Sequence, residues 1–370
     1  MKQDANNITK KVIYGLFLFT IGVLIVYSVI YKFPAVFKET VTKVEKNVTV
    51  TDVGIADAVE KVYNSVVVIT SYNGDNAVAS GSGFIYKTKD NKSYIITNNH
   101  VISGSNNFKA TYTDGKVQEL KLVGSDEYAD IAVLETDERD NFKAVSIGKS
   151  EEMRVGDTAF TVGAPLDDTY SWTVARGILS GKDRLVEVSL SNTNQSDYIM
   201  NVMQTDAAVN SGNSGGPLCN SNGEVVGVVN AKISSTGVEG MGFAIPIEVA
   251  IEKAEQVISG SKTDYPYLGI SMLNVTSALS YPQYNSYLQQ NKISQGVIVI
   301  DVEKNSSADN AGIKTNDIIL SIDNDDVENL AFLRYKLYKY NVGDTIKLKV
   351  LRDGKEKTIS VKLSSNGKKA

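Results

Sequence analysis

Residues 204–218 read QTDAAVNSGNSGGPL, with Ser214 set among Gly212, Gly215 and Gly216. Glycines permit backbone shapes that turn N–H groups inward and let a substrate carbonyl approach closely. A nucleophile on a tight turn needs both. Gly/Ser/Asn turns also occur without any chemistry, so the stretch alone does not decide. The decision comes from the rest of the chain, whose 370 residues contain one histidine, His100, and one cysteine, Cys219. Any imidazole base must be His100.

The GNSGG run formally fits G-x-S-x-G, the nucleophile elbow of α/β-hydrolases, but that order places the histidine after the serine. Here it precedes Ser214, which eliminates the reading. The order Asp, His, Ser is compatible with position, yet it belongs to an α/β scaffold that clashes with the β-rich texture described below. The order His, Asp, Ser, used by chymotrypsin-like barrels, remains. His100 follows the apolar run YIIT at 94–97, where a strand end could present it as a base. Eleven aspartates lie between His100 and Ser214. Asp130 is the best placed, at the lip of the apolar run IAVL (131–134), where a carboxylate could be desolvated and still reach the imidazole. Asp126 and Asp157 read instead as a solvated turn and a turn-stabilising residue.

Composition excludes several classes. A single cysteine closes no intramolecular disulfide. One histidine and one cysteine cannot build the His/Cys clusters of zinc, haem or iron–sulfur sites, whereas carboxylate sites for calcium or magnesium remain possible. A net charge of −5 argues against nucleic acid as a partner. Apolar residues make up 42% of the chain, enough for packed cores, and the length predicts two or three domains.

Short β-rich runs at 65–70, 94–97, 131–134, 158–162 and 225–229, separated by Gly, Asn, Asp and Ser, predict a mainly β domain over 56–260. A helical pattern at 247–258 closes it, and 261–264 read as a linker. A smaller unit over 265–363 carries strand-like runs at 268–272, 296–302, 317–322, 345–351 and 358–363. A helix at 327–339 carries Leu330, Leu333 and Leu337 on one face. Residues 364–370 read as a frayed tail.

Residues 12–31 run for twenty positions without a charge, long enough to cross ~30 Å of hydrocarbon as a helix. Tyr14, Tyr27 and Tyr31 sit towards its ends, as interfacial aromatics do. The run exceeds a signal-peptide core and lacks a small-x-small cleavage site, so an uncleaved transmembrane anchor is expected. Lys2, Lys10 and Lys11 before it, against Lys32 and Lys38 after it, give a slight bias to an inside N-terminus. The large remainder without a second apolar span fits export, so residues 1–11 are expected inside and the rest outside the cell membrane. Residues 32–55 form a polar connector.

Three stretches together, TNNHVI (97–102), DIAVL (130–134) and GNSGGPL (212–218), resemble HtrA/Deg serine proteases. GSGFI (81–85), VGD (155–157) and GFAIP (242–246) support the resemblance, which covers nearly all of 56–363. It implies a chymotrypsin-like double β-barrel followed by a bacterial PDZ domain. It also implies that Ser214 attacks the peptide carbonyl, His100 moves the proton, Asp130 orients the imidazole, and the N–H groups of Gly212 and Ser214 hold the oxyanion. Ala208 would floor the primary specificity pocket and favour aliphatic side chains, and Arg184 would belong to the segment entering a regulatory loop. In the PDZ domain, Leu268, Gly269 and Ile270 would receive a peptide C-terminus added as a strand. The family further implies a homotrimer without a cofactor, neither ATP nor metal, acting on misfolded or exported polypeptides in protein quality control and stress response. Residues 71–80 are short where periplasmic relatives carry a long insertion, which argues against cage formation. The tyrosine-rich insert 273–294 departs from the pattern, and 323–326 (DNDD) reads as a solvated turn and not a calcium loop. Two other functions fit the sequence: a narrow regulatory protease of one signalling substrate, and a chaperone that binds peptides without cutting.

Overall fold

The computed structural model describes residues 2–32, 55–164, 172–189, 196–233, 240–260 and 265–365. The connector at 33–54, the linker at 261–264 and the last five tail residues lie outside the described residues. Residues 1–53 form one unit, and 54–370 a second.

In the first unit a single helix, α1 (Lys2–Lys32), continues through the expected cytoplasmic residues as well as the apolar run. Its span from Lys10 to Val29 has a mean hydropathy of 2.4 and is exposed along its length. Thr20 Oγ1 donates to the carbonyls of Leu16 and Phe17, so its polar group is satisfied within the helix.

The second unit opens with α2 (Ala56–Tyr63). A closed six-stranded barrel follows, built from β1 (Val66–Asn73), β2 (Asn76–Lys89), β3 (Lys92–Thr97), β4 (Asn107–Thr111), β5 (Val117–Asp126) and β6 (Ile131–Asp137), in the order β1-β2-β3-β6-β5-β4. A short helix, α3 (Asn99–Ile102), leaves β3 and carries His100. The next sheet holds β7 (Ser146–Ile147), β8 (Thr158–Gly163), β9 (Thr173–Val188), β10 (Tyr198–Thr205), β11 (Pro217–Asn220), β12 (Glu224–Val229) and β13 (Gly242–Pro246). Its order is β11-β8-β9-β10-β13-β12-β7, and a further β11–β12 pairing closes it into a second barrel. Helix α4 (Ile247–Ile258) then packs back on β5 and β6.

The unbroken apolar runs now have a cause. Along β3, Ile95 enters the core of the first barrel while Ile96 faces the layer between the barrels. Along β6, Ala132 and Leu134 point inward while Ile131 and Val133 point into that layer. Successive side chains on a strand face opposite sides, so a strand buried on both reads as continuous hydrophobic sequence. Leu179, Met203, Leu218 and Val226 fill the second barrel.

Cys219 lies on β11 with no exposed surface, and burial pushes its thiol well above the usual range. The neutral thiol should therefore be inert towards a disulfide reagent in the folded protein and react stoichiometrically once urea unfolds it. Rapid reaction without denaturant would contradict the burial of β11.

The remaining residues form a six-stranded sheet with helices. β14 (Pro266–Tyr267) precedes β15 (Ile270–Asn274), and β16 (Val297–Val302), β17 (Ile318–Ile322), β18 (Asp325–Asp326), β19 (Thr345–Arg352) and β20 (Lys355–Lys362) follow. The order is β15-β16-β17-β19-β20, which leaves β15 on the edge. The insert at 273–294 supplies α5 (Val275–Ala278) and α6 (Pro282–Gln290), followed by α7 (Ser307–Ala311) and α8 (Leu330–Leu337). Leu330, Leu333 and Leu337 of α8 enter the core with Val299, Ile319 and Leu348. The expected tail is not wholly frayed: β21 (Ser364–Ser365) pairs with β14, and Ser364 N–H donates to Ser307 Oγ at 2.9 Å. The DNDD turn is exposed, and Asp323 accepts the Lys347 N–H and the Tyr340 hydroxyl.

Candidate active site

His100 and Asp130 are brought together by two strand ends, since β3 and β6 are paired neighbours. The Asp130 carboxylate is the most heavily engaged group in this region. Its Oδ2 meets His100 Nδ1 at 2.6 Å, and its Oδ1 accepts the His100 backbone N–H at 2.8 Å. Oδ2 also accepts from Asn230 Nδ2 at 2.8 Å. The Asp130 carbonyl accepts from Asn98 Nδ2 at 2.9 Å and from Asn99 N–H at 3.2 Å. The Asp130 side chain is 4% exposed and that of His100 is 23% exposed, so the imidazole faces solvent from a buried anchor. The contact at Nδ1 suits the imidazole tautomer in which Nδ1–H donates to the Asp130 carboxylate and Nε2 is the acceptor.

Asn230 escaped the sequence reading. It ends the apolar run of β12, and nothing local marks it as a partner of a residue a hundred positions earlier. Asp126, expected in a solvated turn, is in fact only 4% exposed. It caps its own turn by accepting from Tyr128 N–H and Ala129 N–H, and it receives the Tyr265 hydroxyl at 2.7 Å. A turn pressed under a neighbouring domain reads in sequence like any polar turn. Asp157 does stabilise a turn, accepting the Arg154 N–H at 2.9 Å.

Ser214 stands on the turn before β11, and Gly212 and Gly215 have φ of 98° and 84°. The first barrel holds this turn in place. Ser82 N–H donates to the Ser214 carbonyl at 2.8 Å, and Ser82 Oγ donates to the Gly212 carbonyl at 2.7 Å. Ser214 Oγ accepts from Ala231 N–H at 3.1 Å, and no hydrogen bond joins it to His100 among the described residues. The Asn213 N–H is spent on the Asn210 carbonyl, whereas the N–H groups of Gly212 and Ser214 have no partner among the described residues.

Ala208 lies exposed on the segment after β10, its carbonyl accepting from Asn213 Nδ2 at 3.2 Å. Arg184 sits within β9, opposite Val202, and its Nε donates to Gln204 Oε1 at 3.1 Å. Among the described residues no hydrogen bond joins it to His100 or Ser214. Of the residues assigned to the peptide loop, Leu268 is buried and Gly269 has φ of 76°. A Cβ on Gly269 would fall 2.1 Å from Ser306 Cβ, so only glycine fits there. Their carbonyls accept from Ala308 N–H and Glu303 N–H, and Ile270 begins the edge strand β15, beside which α8 packs.

Residues 81–228 match the trypsin-like peptidase domain family, and residues 266–363 match the PDZ domain family. The chain is 40% identical over 326 residues to the serine protease Do-like HtrB of Bacillus subtilis (strain 168), covering 84% of this chain and 70% of that protein. The chain belongs to the HtrA family of serine proteases. A second B. subtilis relative, the serine protease Do-like HtrA, is 41% identical over 297 residues, 80% of this chain and 66% of its own length. Among solved structures, the serine endoprotease from Yersinia pestis shares 28% identity with a TM-score of 0.61, covering 84% of this chain and 98% of that one. The HtrA-type protease AlgW with decapeptide shares 26% identity with a TM-score of 0.63, covering 85% of this chain and all of that one. This HtrA-family chain is therefore a mainly β serine endopeptidase with a C-terminal PDZ domain and an N-terminal apolar helix.

Proposed function

We propose that the chain is a membrane-anchored serine endopeptidase in which Ser214, His100 and Asp130 form the catalytic set. The observation that carries this is the Asp130 carboxylate bonded to both the backbone and the ring of His100. Ser214 Oγ attacks the peptide carbonyl while Nε2 takes its proton; Asp130 stabilises the imidazolium, which then protonates the leaving amine. The unpartnered N–H groups of Gly212 and Ser214 receive the oxyanion, each worth roughly 3–4 kcal/mol in the transition state. The Oγ–Nε2 bond forms with substrate present, as such bonds tighten in the Michaelis complex. Ala208 serves the primary specificity pocket, which takes aliphatic side chains, and Arg184 belongs to the regulatory segment.

The PDZ domain binds peptide C-termini as an added strand along β15, with Leu268, Gly269 and Ile270 facing the carboxylate. The free sheet edge supports this. Helix α1 spans a bacterial cell membrane with its N-terminus inside and residues 56–260, the protease domain, outside. Misfolded or exported polypeptides are the substrates, and the assembly is a homotrimer.

The test is labelling of the full chain, in detergent, with a serine-directed fluorophosphonate. The wild type should label at Ser214 and the Ser214→Ala variant should not. Absence of label on the wild type, or equal label on both, excludes this mechanism.

A further inference from the structure

The turn that carries Asp130 is braced from the PDZ side. Residues 126–130 connect β5 to β6, and Asp130 at their end has φ of 52°. A left-handed aspartate costs local energy and persists only where its surroundings over-determine it. Downstream, Asn98 and Asn99 hold its carbonyl. Upstream, the Asp126 carboxylate caps the turn with Oδ1 and accepts the Tyr265 hydroxyl at Oδ2.

Tyr128, two residues before Asp130, is the centre of an aromatic cluster. Its ring meets Tyr198 of β10 at 5.9 Å, Tyr265 at 5.1 Å and Tyr338 at 5.0 Å, all edge-on. Tyr265 and Tyr338 lie 4.4 Å apart. Edge-to-face pairs at these distances are attractive beyond the area they bury. Tyr338 caps the C-terminus of α8, which itself packs on β10. Arg334 of α8 donates to the Asp197 carbonyl at 2.8 Å, and Asn329, its N-cap, donates to Glu187 at 2.8 Å. Burial raises the Tyr198, Tyr265 and Tyr338 hydroxyls, first through desolvation, so they remain neutral donors.

We propose that Tyr265 and Tyr338 are positioning residues for peptide-bond hydrolysis, fixing the 126–130 turn and through it the Asp130 carboxylate against His100. The proposal rests on the reading of Asp130 as the residue that orients His100. Neither tyrosine touches the reacting atoms. The hydroxyl of Tyr265 sets the cap, and the ring of Tyr338 sets the wall against which Tyr128 packs.

The experiment is a double-mutant cycle on the full chain in detergent, with fluorescein-labelled casein as the probe substrate. Tyr265→Phe, which keeps the ring, should lower kcat about tenfold at unchanged KM, the size of one hydrogen bond to a charged acceptor. Tyr338→Leu should do the same with its ring removed. In an Asp130→Asn background the loss from either change should disappear, because the orientation they supply is already gone. Thermal unfolding of each variant separates loss of fold from loss of position. Should Tyr265→Phe unfold, Asp126→Asn gives the same comparison from the other side of the bond. A rise in KM at constant kcat, an unchanged kcat in a folded variant, or an equal loss in both backgrounds overturns the proposal. Full activity of Asp130→Asn alone overturns the catalytic reading beneath it instead, so the two failures are distinct.

Discussion

His100→Ala is expected to lower casein cleavage on the order of 10⁴- to 10⁶-fold, measured as kcat, while the protein stays folded. The magnitude follows from uniqueness, since the substitution leaves no imidazole anywhere in the chain. The fold survives because His100 is a partly exposed residue on a four-residue helix. The buried Asp130 also keeps two donors after the ring is gone, the backbone N–H at position 100 and Asn230 Nδ2. A buried carboxylate stripped of every partner would be strongly destabilising, whereas one that retains two is not. Residual cleavage would come from the oxyanion donors and substrate binding alone. A folded variant that keeps more than about a tenth of wild-type kcat would remove His100 from the chemistry, far outside the losses seen when such a base is deleted.

What the sequence disclosed, and what it withheld, divides by range. The turn around Ser214 and the strand ends at His100 and Asp130 were legible because each is written in a few adjacent residues. Glycines mark the turn, and an apolar run buried on both faces marks the strand. The apolar stripe of α8 was legible for the same reason, though the helix is shorter than the 327–339 expected and runs Leu330–Leu337. The edge strand starts at Ile270 and not at 268, because Leu268 turns into the core and Gly269 adopts positive φ before the extended backbone begins. Asn230 and Tyr265 were illegible. Their hydrogen bonds to Asp130 and Asp126 cross a hundred residues or more, and periodicity locates a strand without naming what its last residue will meet. The role of Ser82 was hidden in a match. GSGFI reads as a pattern, but its serine proves to be the clasp that joins the first barrel to the turn that carries Ser214.

That clasp sets the second large effect. Gly215→Ala is expected to destabilise the protein by about 3–5 kcal/mol, in the class of exceptional single changes, and to abolish fluorophosphonate labelling of whatever remains folded. Two separate causes contribute. At φ of 84° a side chain costs roughly 1–2 kcal/mol on any residue other than glycine. In addition, the new Cβ would lie 2.2 Å from the Ser82 carbonyl oxygen and 2.3 Å from Thr97 Oγ1. Those two atoms are bonded to each other at 2.7 Å, and Gly215 N–H is bonded to the Val229 carbonyl at 2.9 Å, so neither side can yield cheaply. The methyl group must push the turn away from the first barrel, and His100 belongs to that barrel. In the proposed mechanism a displacement near 1 Å between Ser214 and His100 costs about 10²-fold in rate, even where the protein survives. Gly104→Ala supplies the reference, since Gly104 has φ of 75° but nothing within 4 Å of the added Cβ. Urea unfolding of both variants isolates the collision from the backbone strain. If Gly215→Ala costs no more than Gly104→Ala, the two barrels are not clasped at Ser82, and the turn that carries Ser214 owes its shape to the second barrel alone.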